Sequence, residues 1–193
     1  SDLGHDFPKV TLVGILAADL SLNANDYRAG ERTFDLLTQA AGRAGRGVNA
    51  GEVVIQTYQP EHYSIRYAAA QDYEGFYEED ILFREMMGYP PVSHLLAVQV
   101  FAREEDRGIR LAGWLAGRAG RVNSGAEAGK MQLLGPAPAA IGRINDIFRF
   151  VFYVKCSNYG TLIQVKDSLE EALQGIELKQ ETVQFDFDPM NTL

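Results

Sequence analysis

Six letters occur twice in this chain of 193 residues, A-G-R-A-G-R at 41–46 and again at 116–121. Arginine suits planar, multi-donor recognition of phosphate, and glycine lets backbone come close to a ligand. In the first copy Gln39 stands one turn ahead of Gly42, Arg43, Gly45 and Arg46. The string Q-x-x-G-R-x-G-R therefore describes a helix presenting Arg43 and Arg46 to a polyphosphate, with Gln39 as a hydrogen-bonding partner. An arginine so placed stabilises charge that builds up on a transferred γ-phosphoryl group. The arrangement carries a cost, since an interior helical glycine is about 1 kcal/mol worse than alanine and neighbouring arginines repel. The plain alternative is a solvated helix end with two surface arginines. In the second copy Trp114 takes the place of Gln39. There the hexapeptide is expected to be a solvated helix end beside a packing tryptophan, or a pair of arginines facing a nucleic-acid backbone.

Other chemistry is sparse. Asp19 is placed near a strand's C-terminal edge as a hydrogen-bonding residue and has no metal-binding partner at useful spacing. His5, His62 and His94 are scattered, and with the single Cys156 they form no zinc pattern. One cysteine excludes an internal disulfide. No G-x-x-x-x-G-K-[ST] phosphate loop is present. The nearest string, Gly125 to Lys130, is one residue short and followed by Met131. No D-E-x-[HD] acidic box for magnesium is present either. Hydrophobic content of 46% and charged content of 23% are those of an ordinary globular chain. The sequence has no apolar run of about 20 residues and no signal peptide at its start, so a cytoplasmic location without membrane contact is expected. The net charge of −8 argues against a simple basic nucleic-acid binder. Seven acidic side chains against two basic ones fall between 61 and 94, however, which leaves the arginines elsewhere free to form a local positive face.

The elements that must carry these residues follow from pattern. Val10–Leu16 is a short β-branched run, expected as a strand buried on both faces. A helix from about Gly30 to Ala44 buries Phe34, Leu37, Ala40 and Ala41, with Asn25 or Asp26 as its cap, and E-V-V-I-Q-T-Y from 52 is the next strand. Strand, helix, strand is the closing part of a parallel α/β sheet, and its abrupt opening is that of a piece of something longer. Residues 61–91 form an acidic helical connector with Tyr63, Tyr67, Tyr73, Phe76, Tyr77 and Phe83, stopped by Tyr89-Pro90-Pro91. From 92 to 193 the order is β-α-β-β-α-β, the split βαβ unit of ferredoxin-like domains. Its strands are His94–Phe101, Met131–Leu134, Ile147–Val154 and Thr182–Phe187. Its helices are Glu104–Val122, bearing Ile109, Leu111, Trp114 and Leu115, and Tyr159–Ile176. The segment 123–130 is expected to be a mobile loop.

Several blocks together resemble one family. G-H-D-F-P-K-V-T-L-V-G at 4–14, D-Y-R-A-G-E-R-T-F-D-L-L-T-Q-A-A-G-R-A-G-R-G at 26–47 and G-E-V-V-I-Q-T-Y-Q-P-E-H-Y at 51–63 look like the second helicase lobe of the PriA (primosomal protein N′) family of bacterial replication-restart helicases. The likeness continues through D-Y-E-G-F-Y-E-E-D-I-L-F-R at 72–84, G-P-A-P-A at 135–139 and F-D-F-D-P at 185–189, so it covers nearly the whole chain. One departure is Leu3, where the family usually has lysine. The resemblance implies a partial RecA-like lobe over 1–60 with motifs V and VI, then the connector and the ferredoxin-like domain. It implies an ATP-dependent 3′→5′ DNA helicase that recognises stalled forks and D-loops and restarts replication by primosome assembly. Arg46 would be the arginine finger, Arg43 a second γ-phosphate contact, and Gln39, Gly42 and Gly45 part of the same nucleotide-facing surface. Gly4 and Asp6 would belong to the motif V loop that couples ATP to the DNA strand. ATP and magnesium serve the whole parent, and its zinc ligands and first lobe lie outside this chain, so the chain alone is expected to be inactive. The implied partners are forked and single-stranded DNA, the tail of single-stranded-DNA-binding protein, other primosome proteins and the missing first lobe.

A second reading, from residues alone, is a non-catalytic binding module in 92–193. Arg143, Arg149 and Lys155 surround the third strand of that domain, with Tyr153 beside them, as DNA or partner contacts. Phe148, Phe150 and Phe152 alternate on one face and are expected to be core, which puts Arg149 and Tyr153 on the other. A third reading, an adaptor using the acidic connector, competes with a merely solvated acidic face.

Overall fold

A computed structural model describes residues 10–23, 26–44, 51–122 and 131–190. They form a mixed α/β chain with a parallel two-stranded sheet and an antiparallel four-stranded sheet, in two compact units that divide between Phe83 and Arg84.

In the first unit β1 (Leu12–Ile15) pairs in parallel with β2 (Glu52–Ile55), and α1 (Ala29–Ala41) makes the crossover between them. The short helix α2 (Tyr63–Ala70) and the first part of α3 (Tyr73–Met87) complete it. The core is Ala18, Phe34, Leu37, Ile65, Ala68 and Phe76, with Ile15 and Ile55 resting on it from the sheet. Phe34 and Phe76 stack with ring centroids 4.1 Å apart. Tyr63 donates its hydroxyl hydrogen to the buried Asp80 carboxylate at 2.8 Å, which ties α2 to α3. One expectation fails here. β1 is not buried on both faces: Leu12, Leu16 and Val54 are 61%, 76% and 52% exposed. Only one face of this two-stranded sheet has a layer packed against it among the described residues, so the alternate side chains face outward.

The second unit runs β3 (His94–Ala102), α4 (Glu105–Ala119), β4 (Gln132–Ile144), β5 (Ile147–Cys156), α5 (Tyr159–Gln174) and β6 (Thr182–Phe187). The strand order is β4-β5-β3-β6 with every neighbouring pair antiparallel, so each helix crosses over one intervening strand, the split βαβ arrangement. Leu96, Val98 and Val100 of β3 and Phe150, Phe152 and Val154 of β5 meet Leu115 of α4 and Leu162, Val165 and Leu169 of α5. Phe148 packs at the edge of this core, as the alternation requires.

β4 is far longer than the expected 131–134. It continues through the Gly-Pro-Ala-Pro stretch to Ile144, with register shifts after Leu134 and after Pro138. Proline is tolerated because β4 is an edge strand. Gly135 has φ +94°, and a Cβ there would lie 3.0 Å from the Val151 carbonyl oxygen, so only glycine fits. Asn145 and Asp146, both at positive φ, make the tight turn into β5. The terminal F-D-F-D-P has a structural use. Asp188 accepts from Leu95 N at 2.8 Å and lies 3.1 Å from His94 Nδ1, while its own N–H donates to the Leu95 carbonyl at 2.7 Å.

Candidate functional site

The local order β1, α1, β2 decides where the first arginine motif stands. Because the strands are parallel and α1 runs back between them, the end of α1 lies at the end where the chain enters both strands. Glu52 N bonds Thr11 O at 2.8 Å at that edge. The start of α1 is fixed by Asp26. Its Oδ1 accepts from Arg28 N at 2.9 Å and its Oδ2 pairs with the Arg32 guanidinium. Asp26 thus holds the helix start, although the N-cap itself is Arg28, without a side-chain cap. Thr33, fully buried, shares a 2.6 Å hydrogen bond with Ser21 and locks the helix to the short 3₁₀ turn at 18–21.

α1 stops at Ala41 rather than Ala44. Gly42 N bonds Thr38 O at 2.9 Å, Arg43 N bonds Ala40 O at 3.1 Å, and Ala44 N bonds Ala41 O at 3.0 Å, a tightening turn that leaves the helix. Gln39 is exposed on the last helical turn, while Gly42 and a partly exposed Arg43 sit in the turn beyond. The expected helix presenting both arginines is thereby corrected, since Arg43 is carried by the turn. The last buried residue of the helix is Ala41, and of the described residues just past it, Gly42 to Ala44, none is buried to repay continuation. Gly4, His5, Asp6, Gly45 and Arg46 lie outside the described residues, as do Asn25 and the 123–130 loop.

Asp19 stands at the opposite, carboxyl end of the sheet. It is 6% exposed and accepts from the Thr57 hydroxyl and, at 3.1 Å, from Tyr58 N. The Thr57 hydrogen bond, with help from backbone N–H groups, holds its carboxyl below the ordinary carboxylate range despite burial. It is a strand-end clasp between β1 and β2 and no part of the arginine turn.

The four contacts expected around β5 do not converge. Arg143 is exposed, pairs with Asp146 at 2.6 Å and lies over the Phe148 ring at 4.9 Å, on the helix-bearing face. Arg149, one residue on from Phe148, faces the other way, 5.7 Å from the Phe101 ring. Tyr153 packs against the small cluster of Ala97, Ala139 and Val151. Lys155 is 7% exposed, donates to the Met87 carbonyl at 3.1 Å and sits 3.6 Å from the Tyr89 ring centroid. Burial lowers its pKa. Its ammonium is engaged with the 87–89 segment and is not displayed to a phosphate. Sequence pattern named Lys155 as a charge around this strand, but could not foresee that the chain before β3 covers it.

Trp114 is a second correction. It is 42% exposed, whereas Leu115 is fully buried and Leu111 packs at the core's edge. Ile109, at 37%, is also outside the core.

Among the described residues no group of three or more His, Cys, Asp or Glu side chains could hold a metal ion. The donors here do not fit magnesium or zinc, and no step is assigned to either. A polyphosphate does fit the chemistry of the arginine turn, which offers a glycine-opened backbone, an exposed amide side chain and a guanidinium. No helix of the described residues is long and apolar enough to cross a membrane.

Comparison with known proteins agrees with this layout. The family model of the primosomal protein N C-terminal domain matches residues 85–190. The replication restart protein PriA of Bacillus subtilis is 40% identical over 187 residues, covering 96% of this chain and 23% of that protein. The protein of the same name from Synechocystis is 38% identical over 174 residues, 89% of this chain and 20% of its own length. That of Treponema pallidum is 34% identical over 195 residues, 98% of this chain and 28% of its own. The chain spans about a quarter of the curated relatives it matches.

Proposed function

The chain belongs to the family of the primosomal protein N C-terminal domain, and from that premise we propose that it works within an ATP-dependent 3′→5′ DNA helicase of replication restart. The observation that carries this reading is the Gln39–Arg46 string, whose described part, Gln39 to Ala44, stands where the chain leaves α1 at the amino-end side of two parallel strands. The first unit is the closing part of a RecA-like lobe, and the second is a ferredoxin-like domain that contacts DNA or protein.

In this mechanism the arginine turn completes an ATP site whose phosphate loop and magnesium carboxylates come from a first lobe. Gln39 and Arg43 hold the nucleotide's terminal phosphate side. Arg46 meets the charge that grows as the γ-phosphoryl group is transferred. Gly42 and Gly45 let the turn approach. The motif with Gly4 and Asp6 passes closure of the lobes to the DNA strand. The partners are forked and single-stranded DNA, the tail of single-stranded-DNA-binding protein and other primosome proteins, and the location is cytoplasmic.

The test is Arg46→Ala in the intact parent enzyme. ATP binding is expected to persist while DNA-stimulated turnover falls on the order of 10³-fold. Unchanged turnover removes Arg46 from this role.

A second reading has an observation of its own. The described residues of the second unit share a core of their own, formed by β3, β5, α4 and α5. This supports a module that binds DNA or the single-stranded-DNA-binding-protein tail without catalysis.

A further inference from the structure

The second A-G-R-A-G-R copy is not used by the helicase reading, and its surroundings are unusual. A groove of ≈480 Å³ runs between α4 and α5, lined by Gly113, Trp114, Gly117, Arg118, Arg121 and Ser168 among others. Trp114, Gly117 and Arg118 recur at three- and four-residue steps, which stacks them along one side of α4, and Arg121 follows in the turn just past the last helical residue, Ala119. Arg118 Nε donates to the Ser168 carbonyl at 3.3 Å, fixing that guanidinium at the groove wall.

The glycines make the case sharper. Gly108 on the same helix is required by packing, because a Cβ there would meet Phe150 at 2.6 Å. Gly113 and Gly117 have no such excuse: a Cβ at either meets nothing within 4 Å. The helix gives up propensity at two exposed interior positions to keep the backbone bare beside an exposed tryptophan. From Arg107 to Val122 there is no acidic residue, while Arg107, Arg110, Arg118 and Arg121 are all basic. Across the groove on α5, Asp167 and Glu170 both pair with Lys166. Arg107 is ion-paired with Glu181 and Lys166 offsets only one of its two carboxylates, so the positive charge beside the indole is that of Arg110, Arg118 and Arg121.

We propose that this groove binds a segment of single-stranded nucleic acid, with a base stacked on Trp114, neighbouring phosphates on Arg118 and Arg121, and the sugar-phosphate backbone laid over Gly113 and Gly117. The class follows from the chemistry. A flat indole is sequence-tolerant toward bases, which show their faces only when unpaired. Guanidiniums at one-turn spacing suit successive phosphates. The inference rests on the reading that this protein works on DNA, and it names where on the second unit a strand is held.

Trp114 is the chain's one tryptophan, so its fluorescence reports this groove alone. The experiment titrates the full chain at low salt with a short oligothymidylate, following tryptophan quenching and, in parallel, anisotropy of the end-labelled strand. The two signals are expected to saturate together. By anisotropy, Trp114→Ala weakens affinity about tenfold or more. Arg118→Gln and Arg121→Gln each reduce the salt slope by about 0.7. Gly117→Ala is the decisive variant, since nothing nearby obstructs its methyl group: it raises Tm and yet weakens binding, a pairing that a structural role does not produce. Anisotropy without quenching, unmoved by Gly117→Ala and Arg121→Gln, overturns the groove while leaving DNA contact elsewhere on the chain. No signal of either kind overturns both the groove and strand binding by this chain. Quenching by polyglutamate but not by oligothymidylate overturns the assignment in favour of an acidic protein segment.

Discussion

Identical letters end two helices differently in this protein. In the first copy of A-G-R-A-G-R, Ala41 is the last helical residue and Gly42 the C-cap, so Arg43 is already in the turn. In the second, the helix continues through Ala116, Gly117, Arg118 and Ala119, and the C-cap is Gly120. The closing hydrogen bonds are the same kind in both, shifted three letters along. Gly42 N bonds Thr38 O at 2.9 Å in one, and Gly120 N bonds Ala116 O at 3.0 Å in the other. What differs is burial. α1 has its last core contact at Ala41, whereas α4 buries Ala112, Leu115, Ala116 and Ala119 and stays helical to the end of that stripe. A helix extends as far as its apolar face is covered. The outcome is one arginine-bearing turn at the entry edge of a parallel sheet and one arginine-bearing groove on a helix flank.

That contrast can be broken by experiment. The largest effect separates the copies by chemistry: in the intact parent at saturating single-stranded DNA, where a weakened strand contact is compensated by mass action, Arg121→Ala should leave ATP turnover within about twofold, against the order of 10³-fold loss expected for Arg46→Ala. Steady-state ATPase assays on the two variants side by side decide it. Equal losses would mean that the copies do not have separate roles.

Next in size is a contrast within α4. Gly108→Ala pushes a methyl group into the Phe150 ring and Ala102 and is expected to cost about 1–3 kcal/mol. Gly117→Ala meets open space and is expected to gain up to about 1 kcal/mol. Urea unfolding of both variants checks this, and a loss at Gly117 would show that the glycine serves packing.

A pH effect sharpens the same comparison at the other end of the parallel sheet. Asp19 titrates below its ordinary value of 3.8 because Thr57 and backbone N–H groups bond its charged form. Its contribution to stability is therefore complete above the ordinary carboxylate range and is lost as pH falls through the lower, folded value. Urea midpoints followed by NMR signals of the first unit should drop as pH falls below about 4. Asp19→Asn should flatten that fall, while Asp146→Asn, on an exposed hairpin turn, should leave it in place.

Much of the fold was legible because it rests on local rules. Period-two alternation marked β6 and the Phe148, Phe150 and Phe152 face of β5, and the stripe of Phe34 and Leu37 marked α1. β4 was cut short because Pro136 and Pro138 are strand breakers in general, and only a sheet order with β4 at the edge excuses them. Of the candidate site, residue type and spacing singled out Gln39, Gly42 and Arg43, and the structure adds that they stand at and just past the end of α1. Trp114 was misplaced because a helical pattern with Leu111 and Leu115 beside it does not tell which residue tips out of the core. Lys155 was legible as a charge on β5, but its cover comes from Met87 and Tyr89, far away in sequence.

The amino-acid sequence by itself determined the order of the elements, the residue types of the arginine turn and the family to which the chain belongs. These depend on propensity, periodicity and motif spacing, all of which act within a few turns of chain. Tertiary structure alone decided where each A-G-R-A-G-R leaves its helix, that Asp19 clasps two strand ends, that Lys155 is buried and that Trp114 opens onto a groove. Each of those outcomes depends on which surface finds a partner across the fold, and burial is a property of the assembled layers rather than of any window of letters.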